Sequence, residues 1–105
     1  MSKSKEDQEA RIIINDFTLN RRHIKVLLSL AEAPDDKKTI HYLSMVMNVS
    51  FYKIYHDIKT LTDIDFIKPI KLEHSNNKVL YFPDNKIIEA IKKTLANTED
   101  KNETK

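Results

Sequence analysis

The imidazoles of His23, His41, His56 and His74 have no cysteine to join them as metal ligands. They are widely spaced and fall on different elements, whereas a metal site gathers its donors, so no metal is expected. No Ser/His/Asp order, glycine-rich phosphate loop or useful pair of carboxylates is present either, so the chain is not expected to be an enzyme or to carry a cofactor. What the sequence does offer is the run Tyr52, Lys53, His56, Lys59 and Thr60. It combines hydroxyls, an imidazole, ammonium groups and a ring at helical spacing, with little surplus charge. Its chemistry is noncovalent recognition.

That run needs a helix to carry it. Ile54, Ile58 and Leu61 recur at spacings of four and three, which predicts an inward stripe on a helix from Phe51 to about Asp63, with Ser50 as its cap. Tyr52, Lys53, His56, Lys59 and Thr60 then face outward. A shorter helix fits His41 to about Met47, with Ile40 just outside its start and Leu43, Ser44 and Met47 turned inward. Between the two stands Asn48. The chain has no glycine, so where the backbone needs a positive φ, Asn and Asp are the least costly residues left. Asn48 and Asp65 occupy two such places.

Upstream, Thr18 is expected to cap a helix from Leu19 to about Ala33, ended by Pro34, with Leu19, His23, Val26, Leu27 and Leu30 inward and Ile24 and Leu28 widening that face. Downstream, the β-branched and aromatic run from Phe66 to Glu73 is answered by Lys78 to Phe82, a hairpin turning at Asn76 and Asn77. Pro69 is tolerable there only if its missing N–H faces an unpaired edge. Asp84 can cap a last helix from Asn85 to about Ala96. The first ten residues and the closing NTEDKNETK have the composition of disordered ends.

At 105 residues this is one domain, and 32% charged with 40% hydrophobic residues describes a soluble chain with no apolar run long enough for a membrane span. The N-terminus lacks a secretory pattern, so a cytoplasmic location is expected. The net charge of +2 is too small for nonspecific coating of nucleic acid. Arg21, Arg22 and Lys25 cluster on the first helix, where the arginine pair reads as surface. Lys53, Lys59, Lys68, Lys71 and Lys78 recur later, diluted by Asp57, Asp63, Asp65 and Glu73.

The order helix, helix, helix, hairpin, helix resembles the winged helix-turn-helix superfamily over roughly Leu19 to Phe82. Leu43, Ser44, Met47 and Asn48 stand where that family usually has Leu, Ala, Leu and Gly. Val49 and Ser50 match its small apolar residue and helix cap, and Ile54, Ile58 and Leu61 match the inward stripe of its recognition helix. Asp65, Phe66 and Ile67 stand in place of its Gly-Leu-Ile. Both usual glycines are replaced. The short chain looks most like compact archaeal or bacterial regulators of the ArsR, MarR and PadR kinds, and the cysteine-free sequence lacks the ligands of a metal sensor.

The resemblance implies a mainly α fold with a small β-hairpin: a three-helix core, a two-stranded wing and a C-terminal helix. Residues 1–17 would be a partly disordered extension, 18–83 the winged domain, and 84–105 the last helix and a tail. It also implies double-stranded DNA as partner, with helix 51–63 in the major groove. Phe51, Tyr52, Lys53 and His56 would then face base edges: Lys53 donating to guanine, His56 donating or accepting, the Tyr52 ring meeting a thymine methyl. Ser50, Lys59 and Thr60 would suit phosphates, and the wing residues His74, Ser75, Asn76, Asn77 and Lys78 the backbone or minor groove. In the plainer reading, Phe51, Tyr52 and Tyr55 pack on the second helix and wing, and Lys53 and Lys59 are a solvated face. His23 is then a packing residue, His41 starts a helix, and Met45 and Met47 fill the core.

Two apolar clusters lie outside the three-helix core: Ile12, Ile13, Ile14 and Phe17, and Ile87, Ile88, Ile91 and Leu95. Exposed on a monomer they would form a large patch, so pairing across a two-fold axis is expected, giving a homodimer on half-sites roughly 34–36 Å apart. The alternative is that the last helix folds back on its own core. The functional expectation is a sequence-specific regulator, acting as a homodimeric repressor. A winged-helix protein-interaction module in a larger assembly is the rival, since such domains can keep the fold without binding DNA.

Overall fold

The computed structural model describes residues 11–73 and 78–103. A hairpin of β1 (Ile12–Ile14) and β2 (Phe17–Leu19) opens the described chain. It is followed by α1 (Arg21–Glu32), a 3-10 turn (Asp35–Lys37), α2 (Ile40–Met47) and α3 (Phe51–Asp63). A second hairpin of β3 (Ile67–Leu72) and β4 (Lys78–Pro83) leads to α4 (Asn85–Glu103). This is the winged helix-turn-helix arrangement, mostly helical, with one hairpin as the wing.

The first hairpin corrects the sequence reading. Ile14 pairs with Phe17 and Ile12 with Leu19, so Thr18 and Leu19 are strand residues and Thr18 caps nothing. Asn15 and Asp16, with φ of 50° and 70°, make the two-residue connection, and positive φ at both central positions is what a type I′ turn requires. The cap of α1 is Asn20. Its side chain accepts from the His23 N–H at 2.8 Å, and His23 Nδ1 accepts from the Asn20 N–H at 3.4 Å, closing a capping box in which histidine replaces the usual Glu or Gln.

Asn48 and Asp65 adopt φ of 54° and 66°, as expected. Each ends a helix in the same way. Val49 N–H donates to Ser44 O and Asn48 N–H to Met45 O; Phe66 N–H donates to Leu61 O and Asp65 N–H to Thr62 O. These are the paired bonds of a Schellman motif, whose left-handed position glycine ordinarily fills. Thr39 caps α2 by accepting from the Tyr42 N–H at 3.1 Å, and Ser50 caps α3 by accepting from the Lys53 N–H at 3.3 Å. The three residues Asn48, Val49 and Ser50 thus fix the angle between α2 and α3.

A buried lysine joins α1 to the wing. Lys38, 6% exposed, donates from Nζ to Leu30 O and Ala33 O, both at 2.6 Å, with the Phe82 ring 5.8 Å away. A cation at carbonyls left open by a helix C-terminus is favourable to both. The Lys38 carbonyl accepts from Tyr81 N–H at 2.8 Å, along the edge of β4 away from β3. Tyr81 is the register partner of Pro69, so that pair exchanges no backbone hydrogen bonds and Pro69 turns its missing N–H outward.

One core gathers Leu27 and Leu30 of α1, Leu43 of α2, Ile54, Ile58 and Leu61 of α3, and Phe66 and Ile67 at the entrance to the wing. Ile14 and Leu19 of the first hairpin join it, as do Ile87, Ile88 and Ile91 of α4. Helix α4 packs on β1 and α1, so much of the apolar surface that the sequence reading offered to a partner is covered within the chain. Ile13, 68% exposed, and Phe17 remain at the surface. Met45 also corrects the reading: it lies outside the core, 63% exposed, while Met47 is half-buried. The last helix runs to Glu103, past the expected end near Ala96. Among the described residues no helix is long and apolar enough to cross a membrane.

Candidate nucleic-acid interface

The outward side of α3 carries the residues expected there. Phe51, Tyr52, Lys53, His56, Lys59 and Thr60 are all exposed. Tyr55 is exposed as well, at 44%, and keeps one side toward Tyr81 of the wing. Tyr52 meets His56 edge-to-face with ring centroids 4.4 Å apart, and Tyr55 meets the same imidazole at 5.8 Å. Such edge-to-face pairs hold rings in preferred geometries. His56 is therefore presented between two tyrosines. Neither Lys53 nor Lys59 has an ion pair among the described residues, so both ammonium groups are available to an anionic partner.

The opposite side of α3 holds a feature that the sequence reading misplaced. Asp57, counted there among acids diluting the basic surface, is 4% exposed and faces α1. Arg22 grips it with two hydrogen bonds, Nε to Oδ2 and Nη2 to Oδ1. His23 Nε2 lies 3.5 Å from Asp57 Oδ1. The signal was present in the spacing, since Asp57 falls three after Ile54 and four before Leu61, on the inward stripe. A buried carboxylate with a bidentate guanidinium fixes the rotation of α3 against α1 more tightly than apolar packing alone, because the pair tolerates little misalignment.

The electrostatics of this cluster follow from burial and contact. The Asp57 hydrogen bond raises the Arg22 pKa above its ordinary value, although burial opposes it. Burial pushes the His23 pKa below the ordinary imidazole value; Asp57 resists that shift and Arg22 reinforces it. His23 Nδ1 accepts from Asn20, so the neutral ring carries its proton on Nε2, toward Asp57. His23 is a packing and capping residue, in keeping with its inward place on α1.

In the wing, Lys78 is exposed and donates to Asp36 O at 3.2 Å, which sets it beside the start of α2. His74, Ser75, Asn76 and Asn77, the expected tip, lie outside the described residues. Ser50 sits at the front of α3 with its hydroxyl engaged as a cap. Among the described residues the candidate surface is the outer side of α3, with Lys78 of β4 standing beside the start of α2.

Two solved structures share this architecture. A substituted form of ZitR from Lactococcus lactis superposes with a TM-score of 0.67 at 19% identity, covering 89% of this chain and 62% of that one. A substituted form of MepR from S. aureus gives 0.65 at 13% identity, covering 98% and 71%. Both neighbours are winged-helix transcriptional regulators of the MarR family. This chain spans a little under two thirds of the ZitR chain. No protein-family model and no curated protein matches the sequence.

Proposed function

We propose that the protein is a cytoplasmic, sequence-specific double-stranded-DNA-binding transcriptional regulator that sets α3 in a major groove. One observation carries the reading: Tyr52, Lys53 and His56 project together from the first turns of a helix whose back is fixed to α1. Residues near the start of such a helix reach base edges in helix-turn-helix complexes. Lys53 would donate to guanine acceptors, His56 would donate or accept, and Tyr52 would meet a thymine methyl or a phosphate. Lys59, Thr60, Lys78 and the Ser50 region would border the backbone, with His74 to Asn77 as the wing's contribution. The resemblance to ZitR and MepR in fold favours the same reading.

The regulator would act as a homodimeric repressor occupying a promoter. With Ile14, Ile87, Ile88 and Ile91 buried within one chain and Ile12 and Leu95 packed partly buried against the same core, the dimer contact would draw chiefly on the exposed Ile13 and Phe17. Sedimentation at dilute concentration tests this directly: dimer is expected, and monomer alone would remove the two-fold assembly.

Fluorescence anisotropy with the chain's own upstream DNA, across several salt concentrations, tests the central reading. Affinity should fall steeply with salt. Lys53→Ala should weaken binding by about 1–3 kcal/mol and relax preference at one base pair. Absence of duplex binding at low salt, or indifference to both Lys53→Ala and Tyr52→Ala, would refute it. A second reading is a protein-docking module, favoured by Met45, Val46, Phe51 and Tyr52, four exposed apolar or aromatic residues on α2 and α3. It predicts binding to a protein partner that is insensitive to Lys53.

A further inference from the structure

A depression of about 430 Å³ lies beside the helix-turn-helix turn, at the start of α1. Arg11, Arg21, Arg22 and Lys25 line it, and Met47 and Val49 close it on the side of α2 and α3. No carboxylate is on its wall among the described residues. Arg22 is matched from behind by Asp57, but Arg11, Arg21 and Lys25 have no ion pair among the described residues. Arg21 and Lys25 are four apart on one helix, where like charges repel. In a chain of only +2 net charge, this concentration of cations around one hollow stands apart from the mixed surface of α3.

From this geometry we infer that the depression seats a phosphate group, and that the DNA backbone flanking the groove read by α3 supplies it. Guanidinium forks match phosphate oxygens in pairs, and Lys25 adds a flexible point charge. The seat is built from side chains, four of them cationic, and the Asn20 cap already takes the His23 amide behind it. Its position names the source. Met47 and Val49 bracket Asn48, immediately before the Ser50 cap of α3. A strand bordering the groove entered by α3 passes this turn, and its phosphates meet Arg21 and Lys25. The arginine cluster that the sequence reading took as plain surface thus becomes a backbone clamp. This inference rests on the proposed DNA-binding role.

The full chain carrying Arg21→Ala and Lys25→Ala tests it, since both side chains are exposed and neither holds the fold. The slope of log affinity against log salt should become shallower by about one to two units, since each lost phosphate contact removes about 0.9. Specific and random duplexes should weaken by the same factor, and Arg21→Lys with Lys25→Arg should restore the slope. An unchanged slope, in a chain that Lys53→Ala does weaken, overturns the phosphate seat and leaves DNA recognition standing. If the wild-type chain binds no duplex, inorganic phosphate is titrated while the Arg11 and Arg21 Nε–H resonances are followed. Saturable shifts that the double variant loses sustain the seat for a free phosphate while DNA recognition fails. Absence of such shifts overturns both.

Discussion

Asp57 of α3 and Arg22 of α1 meet in a two-point contact, one carboxylate oxygen to Nε and the other to Nη2 at 3.2 Å. The carboxylate is buried while the guanidinium side chain is 40% exposed. Truncating Arg22 therefore leaves a charge stranded inside, and partial access of water lessens the loss. Arg22→Met should destabilise the chain by about 1–3 kcal/mol in urea unfolding. Asp57→Leu combined with Arg22→Met should recover much of it, because an apolar pair leaves no stranded charge. Equal stability of Arg22→Met and the double variant would show that losing Arg22 leaves no stranded charge at Asp57.

The pH dependence of folding turns on His23. Its pKa is lowered in the folded chain, chiefly by burial, so the unfolded chain binds the proton more tightly. The stabilisation is present above the unfolded value near 6.5 and is lost as pH falls from there through the lowered folded value. Urea midpoints across that window should fall with pH for the wild type. His23→Gln should flatten the curve there. A curve of equal steepness in the variant would place the titrating group elsewhere.

Lys38 should behave as a structural cation. Lys38→Met keeps the apolar stem but removes the donor to Leu30 O and Ala33 O, leaving two carbonyls at the end of α1 with one donor fewer. A loss of about 1–3 kcal/mol is expected. Amide hydrogen exchange should rise first at Ala33 and at Tyr81, whose N–H is bonded to the Lys38 carbonyl.

Asn48 tests the helix-turn-helix turn. Asn48→Gly should change stability by less than about 0.5 kcal/mol, since steric relief and added unfolded-state freedom oppose each other. Asn48→Val places a β-branched residue at φ 54° and should lose about 1–2 kcal/mol. If the valine variant melted with the wild type, the left-handed turn would not be a constraint on the fold.

The parts of the fold legible in the sequence were those with local punctuation. Ser50 with the stripe Ile54, Ile58 and Leu61 marked α3, and Asn48 and Asp65 marked its two turns. The first hairpin was harder to see because three consecutive isoleucines carry no period of their own, and Asn15-Asp16 was the only turn signal. The end of α4 was misjudged by composition: no proline or glycine follows Pro83, and Glu, Lys and Ala continue a helix readily. Lys38 had no local signal, since its partners are carbonyls brought near by the fold. On the interface, Tyr52, Lys53 and His56 were legible from helical spacing, whereas the grouping of Arg11 with Arg21 and Lys25 depends on how β1 meets α1.

The first hairpin and α4 cover one another at opposite ends of the sequence. Such a closure sets an order of assembly. Contacts between distant chain segments are the slowest to form, because a long loop must be closed before any burial rewards it. The helix-turn-helix unit can condense from neighbouring segments, but β1 waits for α4. During synthesis the hairpin emerges before α4, so a nascent chain stalled between them would display β1 unprotected.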